Sequence, residues 1–143
     1  MPVELNLTED QVQQMIEHAQ NALPNEACGL LGGRDGSVQA VYPGANTEHS
    51  PVRYRMDPQE QLRAMDAIEL SEGYMVGIFH SHPTGLPIPS ATDISQAQYP
   101  EAVYIILARH PSGEWQMRGY NLENGRSQQV ALQVGPTPAD RSG

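Results

Sequence analysis

Apolar residues recur along this chain in two rhythms, and each change of rhythm marks an element. After Thr8-Glu9-Asp10, the residues Val12, Met15, Ile16, Ala19 and Leu23 fall at the spacing of one helix face, behind an N-cap threonine and an acidic first turn. The pattern predicts an amphipathic helix over 8–23, stopped by Pro24-Asn25. Residues 27–33 form a short apolar run suited to a buried strand, Asp35-Gly36 marks a hairpin turn, and 37–42 is the return strand, broken by Pro43-Gly44. Residues 53–56 read as a further extended piece. Asp57 and Pro58 then open a second helix that runs to about Glu72, offers Leu62, Met65, Ile68 and Leu70 for packing, and ends at Gly73.

Residues 74–80 are apolar on both alternating faces, as in a central strand covered on each side. Ser90 starts a short helix. Segments 102–109, 115–122 and 127–134, separated by Pro111-Ser112-Gly113 and Asn124-Gly125, predict a closing antiparallel meander. At 143 residues the chain suits one compact domain. The domain is expected over 1–134, with 135–143 as a disordered tail.

Charge and composition narrow the partners. Eight basic against seventeen acidic residues give a net charge of −9, which repels a phosphate backbone, and no basic cluster offsets it, so nucleic acid is not an expected partner. No run approaches the roughly 18 apolar residues that span a bilayer, and the first ten residues lack a signal core, so neither membrane insertion nor secretion is expected. The single cysteine, Cys28, cannot form an intramolecular disulfide and fits a reducing, cytoplasmic compartment. Beside Leu30 and Leu31 it reads as a small buried hydrophobe rather than a nucleophile. All eight basic residues are Arg, an absence of lysine that an Arg-biased composition explains.

The chemistry concentrates in His80-Ser81-His82 and the loop that follows. Histidines at i and i+2 on a strand end share a face, so both imidazoles reach one metal ion. Pro83, Pro87 and Pro89 restrict the loop, and the short helix begun by Ser90 points Asp93 back toward the histidines. Two histidines and one carboxylate leave a zinc position open for water, the ligand count of a catalytic site. Ser90 and Asp93 also fit a capping box, and the two roles are compatible. His18 in a helix, His49 in a polar loop and His110 beside Pro111 lack comparable neighbours and are expected in solvent.

His-x-His, ten intervening residues and then Asp, with Ser three positions before that Asp and an upstream Glu in Glu26-Ala27-Cys28-Gly29-Leu30-Leu31, resembles the JAMM (MPN-plus) zinc metallopeptidase family in its small, free-standing prokaryotic form. The resemblance implies a single α/β JAMM/MPN domain with a mixed central sheet flanked by helices, related to the deaminase architecture. It implies one Zn2+ per chain held by His80, His82 and Asp93, with Ser90 beside the reacting water and Glu26 as general acid/base. Completeness of the set favours an enzyme over a noncatalytic MPN binding module. Zinc lowers the pKa of water from about 15.7 to about 7 and polarises a carbonyl, so no covalent intermediate is needed. The implied substrate is an amide or isopeptide bond after the C-terminal Gly-Gly of a ubiquitin-like or sulfur-carrier protein, with lysine or a small amine such as cysteine leaving. A RadC-like, DNA-associated role is opposed by the acidic charge and by Ser81, where that branch carries Asn. The His-x-Glu and Pro-Cys-x-x-Cys of zinc deaminases and the His-Glu-x-x-His of general zinc proteases are absent.

Overall fold

Thr8 ends one element and starts the next. The computed structural model describes residues 3–138 and opens with strand β1 (Glu4–Thr8), whose alternation buries Leu5 and Leu7. Thr8 then caps α1 (Glu9–Ala22): its hydroxyl accepts from Gln11 N, and Gln11 Oε1 accepts from Thr8 N. Strands β2 (Cys28–Arg34) and β3 (Ser37–Gly44) form a hairpin through Asp35 and Gly36, both in the left-handed region at φ 54° and 73°. Helix α2 (Pro58–Leu70) is capped by the Asp57 carboxylate, which accepts from Gln59 N and Glu60 N. Then follow β4 (Tyr74–His82), α3 (Ala91–Gln96), β5 (Val103–Arg109), β6 (Trp115–Glu123) and β7 (Arg126–Gly135).

The strands order as β1-β3-β2-β4-β5-β6-β7 and close into a barrel. Closure depends on β1, which runs parallel to β7 from Glu4↔Ala131 to Thr8↔Gly135 and meets β3 at Asn6↔Ser37. β1 and β3 are also parallel, as are β4 and β5, joined through α3, and the remaining neighbours are antiparallel. The sheet is therefore mixed, with helices packed on it, as the resemblance implied. Met15 of α1, with Val12 and Ile16, packs on Leu31, Phe79, Ile105 and Leu107. Ala64 of α2 joins the opposite cluster of Cys28, Leu30, Ile78, Tyr104 and Ile106. Alternation along β4 thus sends Phe79 toward α1, and Ile78 and His80 toward α2.

Several sequence expectations are corrected. β1 was not predicted, because two leucines in five residues are too short a pattern to stand out. Leu62 and Leu70 are exposed, while Ala64 and Ile68 take the buried stripe of α2. That helix ends at Leu70 with Ser71 as cap, before Gly73. β3 continues through Pro43 to Gly44, since β1 touches β3 only near Ser37 and no strand bond is lost to the missing N–H. Residues 53–56 contribute only an isolated bridge, Asn46↔Met56. Of the expected tail, Gly135 completes β7 and Thr137 Oγ1 accepts from Asp10 N, while 139–143 lie outside the described residues. No helix among the described residues is long and apolar enough to cross a membrane.

Gly29 of β2 is covered by the Phe79 ring, and a Cβ there would also lie 2.6 Å from Tyr42 O. Gly29→Ala is expected to destabilise the protein by about 1–3 kcal/mol through overpacking, read as a lower urea midpoint.

Candidate active site

β4 lies between β2 and β5, with His80 opposite Cys28 on one side and Ile106 on the other, so the His80 side chain is fully buried. His82, two residues on, shares its face at the strand's end, where the chain leaves toward α3. The connecting loop buries Pro83, Pro87 and Pro89 and leaves Leu86 and Ile88 outside. Two bonds hold it down. His82 Nδ1 lies 2.9 Å from Leu86 O, to which it donates a proton, so that Nε2 is the atom turned toward the cluster, and the Tyr120 hydroxyl donates to Pro87 O at 2.7 Å. Past α3, the Tyr104 hydroxyl accepts from Gln98 N and Tyr99 N.

Ser90 caps α3, with Oγ accepting from Asp93 N at 3.0 Å and Asp93 Oδ2 accepting from Ser90 N at 2.9 Å. The same Oδ2 lies 3.1 Å from both His80 Nε2 and His82 Nε2, and the two Nε2 atoms are 3.2 Å apart. Tetrahedral zinc with bonds of roughly 2.0–2.1 Å would space its ligands about 3.3–3.4 Å apart, so this triangle of two imidazole nitrogens and one carboxylate oxygen fits such an ion. Burial works against the Asp93 carboxylate, but hydrogen bonds from His80, His82 and Ser90 N hold it well below the usual range. Burial pushes His80 down against its bond to Asp93. At His82 burial acts in the same sense, but Asp93 and Leu86 O outweigh it and the net shift is upward. His80 Nδ1 is buried without a hydrogen-bond partner, and its ring instead stacks on Tyr54, with centroids 4.7 Å apart and planes at 21°.

Glu26 reaches this cluster through strand register. Beyond Cys28↔His80 the pairing continues one step: Ser81 N donates to Ala27 O at 3.0 Å, and Ala27 N donates to Ser81 Oγ at 2.7 Å. Glu26 therefore falls alongside His82. Its side chain is 3% exposed, Oε1 has no hydrogen-bond partner, and burial raises its pKa to about 7, opposed by His82 and reinforced by Asp93. The structure thus brings His80, His82 and Asp93 into mutual contact, sets Ser90 on the cap beneath Asp93, and places Glu26 where it and His82 feel each other's charge.

Tyr54, Tyr120, Asn46 and Ser81 were not selected as site residues from the sequence. Tyr54 and Asn46 sit in an aperiodic loop, and only their contacts reveal them. A groove of about 660 Å³ opens beside the stacked ring, bordered by Tyr54, Met56, Gln98, Tyr99 and Tyr104. His18 is not in solvent: it is half-buried, with Nε2 2.9 Å from Gly44 O and 3.1 Å from Cys28 O, so it bridges the ends of β2 and β3. His49 and His110 are exposed as expected. Cys28 is fully buried, and burial pushes its thiol up to about 12, which disarms it as a nucleophile.

Residues 8–120 match the family model described as prokaryotic homologs of the JAB domain. The chain is 36% identical over 118 residues to the CysO-cysteine peptidase of Mycobacterium tuberculosis, covering 81% of each. It is 34% identical over 136 residues to the desampylase of Haloferax volcanii, covering 90% of this chain and 96% of that one. Its fold matches the solution structure of a Desulfitobacterium hafniense protein at 37% identity and a TM-score of 0.84, over 93% of this chain and 94% of the other.

The buried Glu26 makes stability depend on pH. Below pH 4.5 the carboxyl is protonated whether the chain is folded or unfolded; between 4.5 and 7 only the unfolded chain releases the proton, so folding weakens as pH rises and levels off above 7. At about 1.4 kcal/mol per pH unit, that loss reaches about 3 kcal/mol. Glu26→Gln should therefore stabilise chelator-treated protein by about 3 kcal/mol at pH 8 and by little at pH 4, in paired urea titrations. An equal effect at both pH values would show that the carboxylate does not ionise in a buried setting.

Proposed function

The chain belongs to the family of prokaryotic homologs of the JAB domain, and from that membership we propose that it is a zinc-dependent hydrolase cleaving an amide or isopeptide bond after the C-terminal Gly-Gly of a ubiquitin-like or sulfur-carrier protein. The observation that carries the reading is a buried carboxyl poised near neutrality, Glu26, beside three converging ligand atoms on His80, His82 and Asp93. Relatives that work as a CysO-cysteine peptidase and as a desampylase support the substrate class. The buried lone cysteine and the acidic surface agree with a cytoplasmic protein that binds neither membrane nor nucleic acid.

His80 and His82 would hold zinc through Nε2 and Asp93 through Oδ2. A zinc ion bound there supplies Lewis acidity, lowering the pKa of a water to about 7 and polarising the scissile carbonyl. The chain's own groups carry the protons. With its pKa near 7, Glu26 accepts a proton from the attacking water and returns it to the departing amine. Ser90 Oγ accepts from Asp93 N and keeps its own O–H to donate toward the oxygen on which negative charge builds. The Tyr54 ring covers one face of His80 and keeps water off that ligand. Two glycines before the scissile bond suit a narrow approach in which any Cβ would obstruct carbonyl placement.

Mass spectrometry of Gly-Gly-tailed carriers linked to lysine or to cysteine, after incubation with the zinc-loaded protein, should show carriers ending in a free Gly-Gly carboxylate. Intact conjugates of both kinds would overturn the proposal. Elemental analysis after dialysis should give one zinc per chain, and His82→Ala or Asp93→Ala should release it, since only two protein ligands then remain. Glu26→Gln should retain zinc and lose most turnover. Ser90→Ala should retain zinc and slow turnover by no more than the effect of one oxyanion donor, about 2.7–4 kcal/mol in barrier. Unchanged turnover in Ser90→Ala would leave that residue its helix cap alone.

A further inference from the structure

Glu26 moves the proton in the reading above, yet among the described residues none hydrogen-bonds its buried Oε1. With no bond to that oxygen, its place depends on packing and on its own backbone, which is tied on two sides. Toward the histidines, the following residue, Ala27, is bound through both its N–H and its C=O to Ser81. On the other side lies the loop between β3 and α2, where Glu26 N donates to Ser50 O at 2.8 Å and Glu26 O accepts from Asn46 Nδ2 at 3.0 Å.

Asn46 does more than meet Glu26. Its Nδ2 also donates to Arg53 O, and its Oδ1 accepts from Glu48 N and Arg55 N, each bond at 3.0 Å. Two donor and two acceptor contacts use the full capacity of a side-chain amide. Arg53 and Arg55 flank Tyr54, whose ring stacks on His80. One half-buried amide therefore fixes the peptide of the proton-carrying residue and both neighbours of the ring that backs a metal-ligand candidate. An aspartate would lack the donors, and a serine the number of contacts.

We propose that Asn46 is a positioning residue for the hydrolysis, acting through Glu26: it ties the Glu26 backbone to the loop that carries Tyr54 and so sets Glu26 relative to His80 and His82. The inference rests on the hydrolase reading, and a displacement of about 1 Å at a reacting group is enough to slow turnover by about 100-fold. Asn46→Ala should lower kcat 10- to 100-fold, with KM within about twofold and one zinc per chain retained. Asn46→Asp keeps the acceptor contacts with Glu48 N and Arg55 N but has no donor for Glu26 O, and should lose as much; full activity in Asn46→Asp overturns the proposal. In a double-mutant cycle, Asn46→Ala added to Glu26→Gln should change kcat by less than about twofold, because both act through one group. Equal slowing in both backgrounds overturns the proposal, since Asn46 would then act independently of Glu26.

Thr47→Val is the control for loop order alone: it removes a different bond of the loop, Thr47 Oγ1 to Arg55 O, and should leave kcat unchanged. A loss as large as that of Asn46→Ala overturns the proposal. A readout independent of turnover is amide exchange in zinc-free protein, where Asn46→Ala should speed exchange at Glu26 N at least tenfold, and unchanged exchange overturns the proposal. If the wild type cleaves neither conjugate, the hydrolase reading fails and takes the catalytic role of Asn46 with it, while the exchange measurement still decides the linkage itself.

Discussion

The antiparallel pairing of β2 with β4 is the constraint on which the site depends. It sets Cys28 against His80 and, one step further, Ala27 against Ser81, residues 54 positions apart in the chain. A slip of one residue would turn both histidines from the α2 face toward the apolar cluster around Phe79. The shift in register between Leu31 and Gly32 and the close cover of Gly29 by Phe79 oppose such a slip. Backbone hydrogen bonds and close packing therefore set the geometry between Glu26 and His82, with no direct bond between the two side chains required.

Around that pairing the polar groups are held in an arrangement that is unfavourable without a cation. Two imidazole nitrogens and a carboxylate oxygen face one another at 3.1–3.2 Å, and a buried carboxyl beside them lacks a partner for Oε1. The surroundings over-determine these positions. Asp93 Oδ2 is shared by the α3 cap and both histidines, and the proline loop is bonded at Leu86 O and Pro87 O. The stability forgone at Glu26 is what the proposed proton-transfer role would lead one to expect, since activity and stability commonly trade at such positions.

Barrel closure serves the same end at a distance. β1 leaves neither β3 nor β7 as a free edge along its pairing, and its last residue starts α1, whose Met15 packs against the same cluster as Phe79 of β4. His18, on the same helix, spans the carbonyls of Cys28 and Gly44, holding the end of β2 that Glu26 precedes by two residues.

Much of this was legible in the chain itself. The capped starts of α1 and α2, the Asp35-Gly36 hairpin, the central strand and the closing meander follow from local periodicity and turn chemistry. The meeting of His80, His82 and Asp93 follows because strand alternation and a helix cap act within 14 residues. β1 escaped notice because Leu5 and Leu7 gain their meaning only from strands β7 and β3. The buried stripe of α2 runs through Ala64 rather than Leu62 because the approach of the sheet, and not side-chain size, selects the covered face. The sequence by itself determined which residue types could ligate a metal and, β1 and the piece at 53–56 apart, which segments would be helix or strand. Only the tertiary structure decided that Glu26 lies beside His82, that Tyr54 backs His80 and that Asn46 joins the two. Periodicity specifies the face a side chain takes, whereas the partner it meets depends on pairing between distant segments, and that pairing is spread over many backbone bonds rather than written in any one residue.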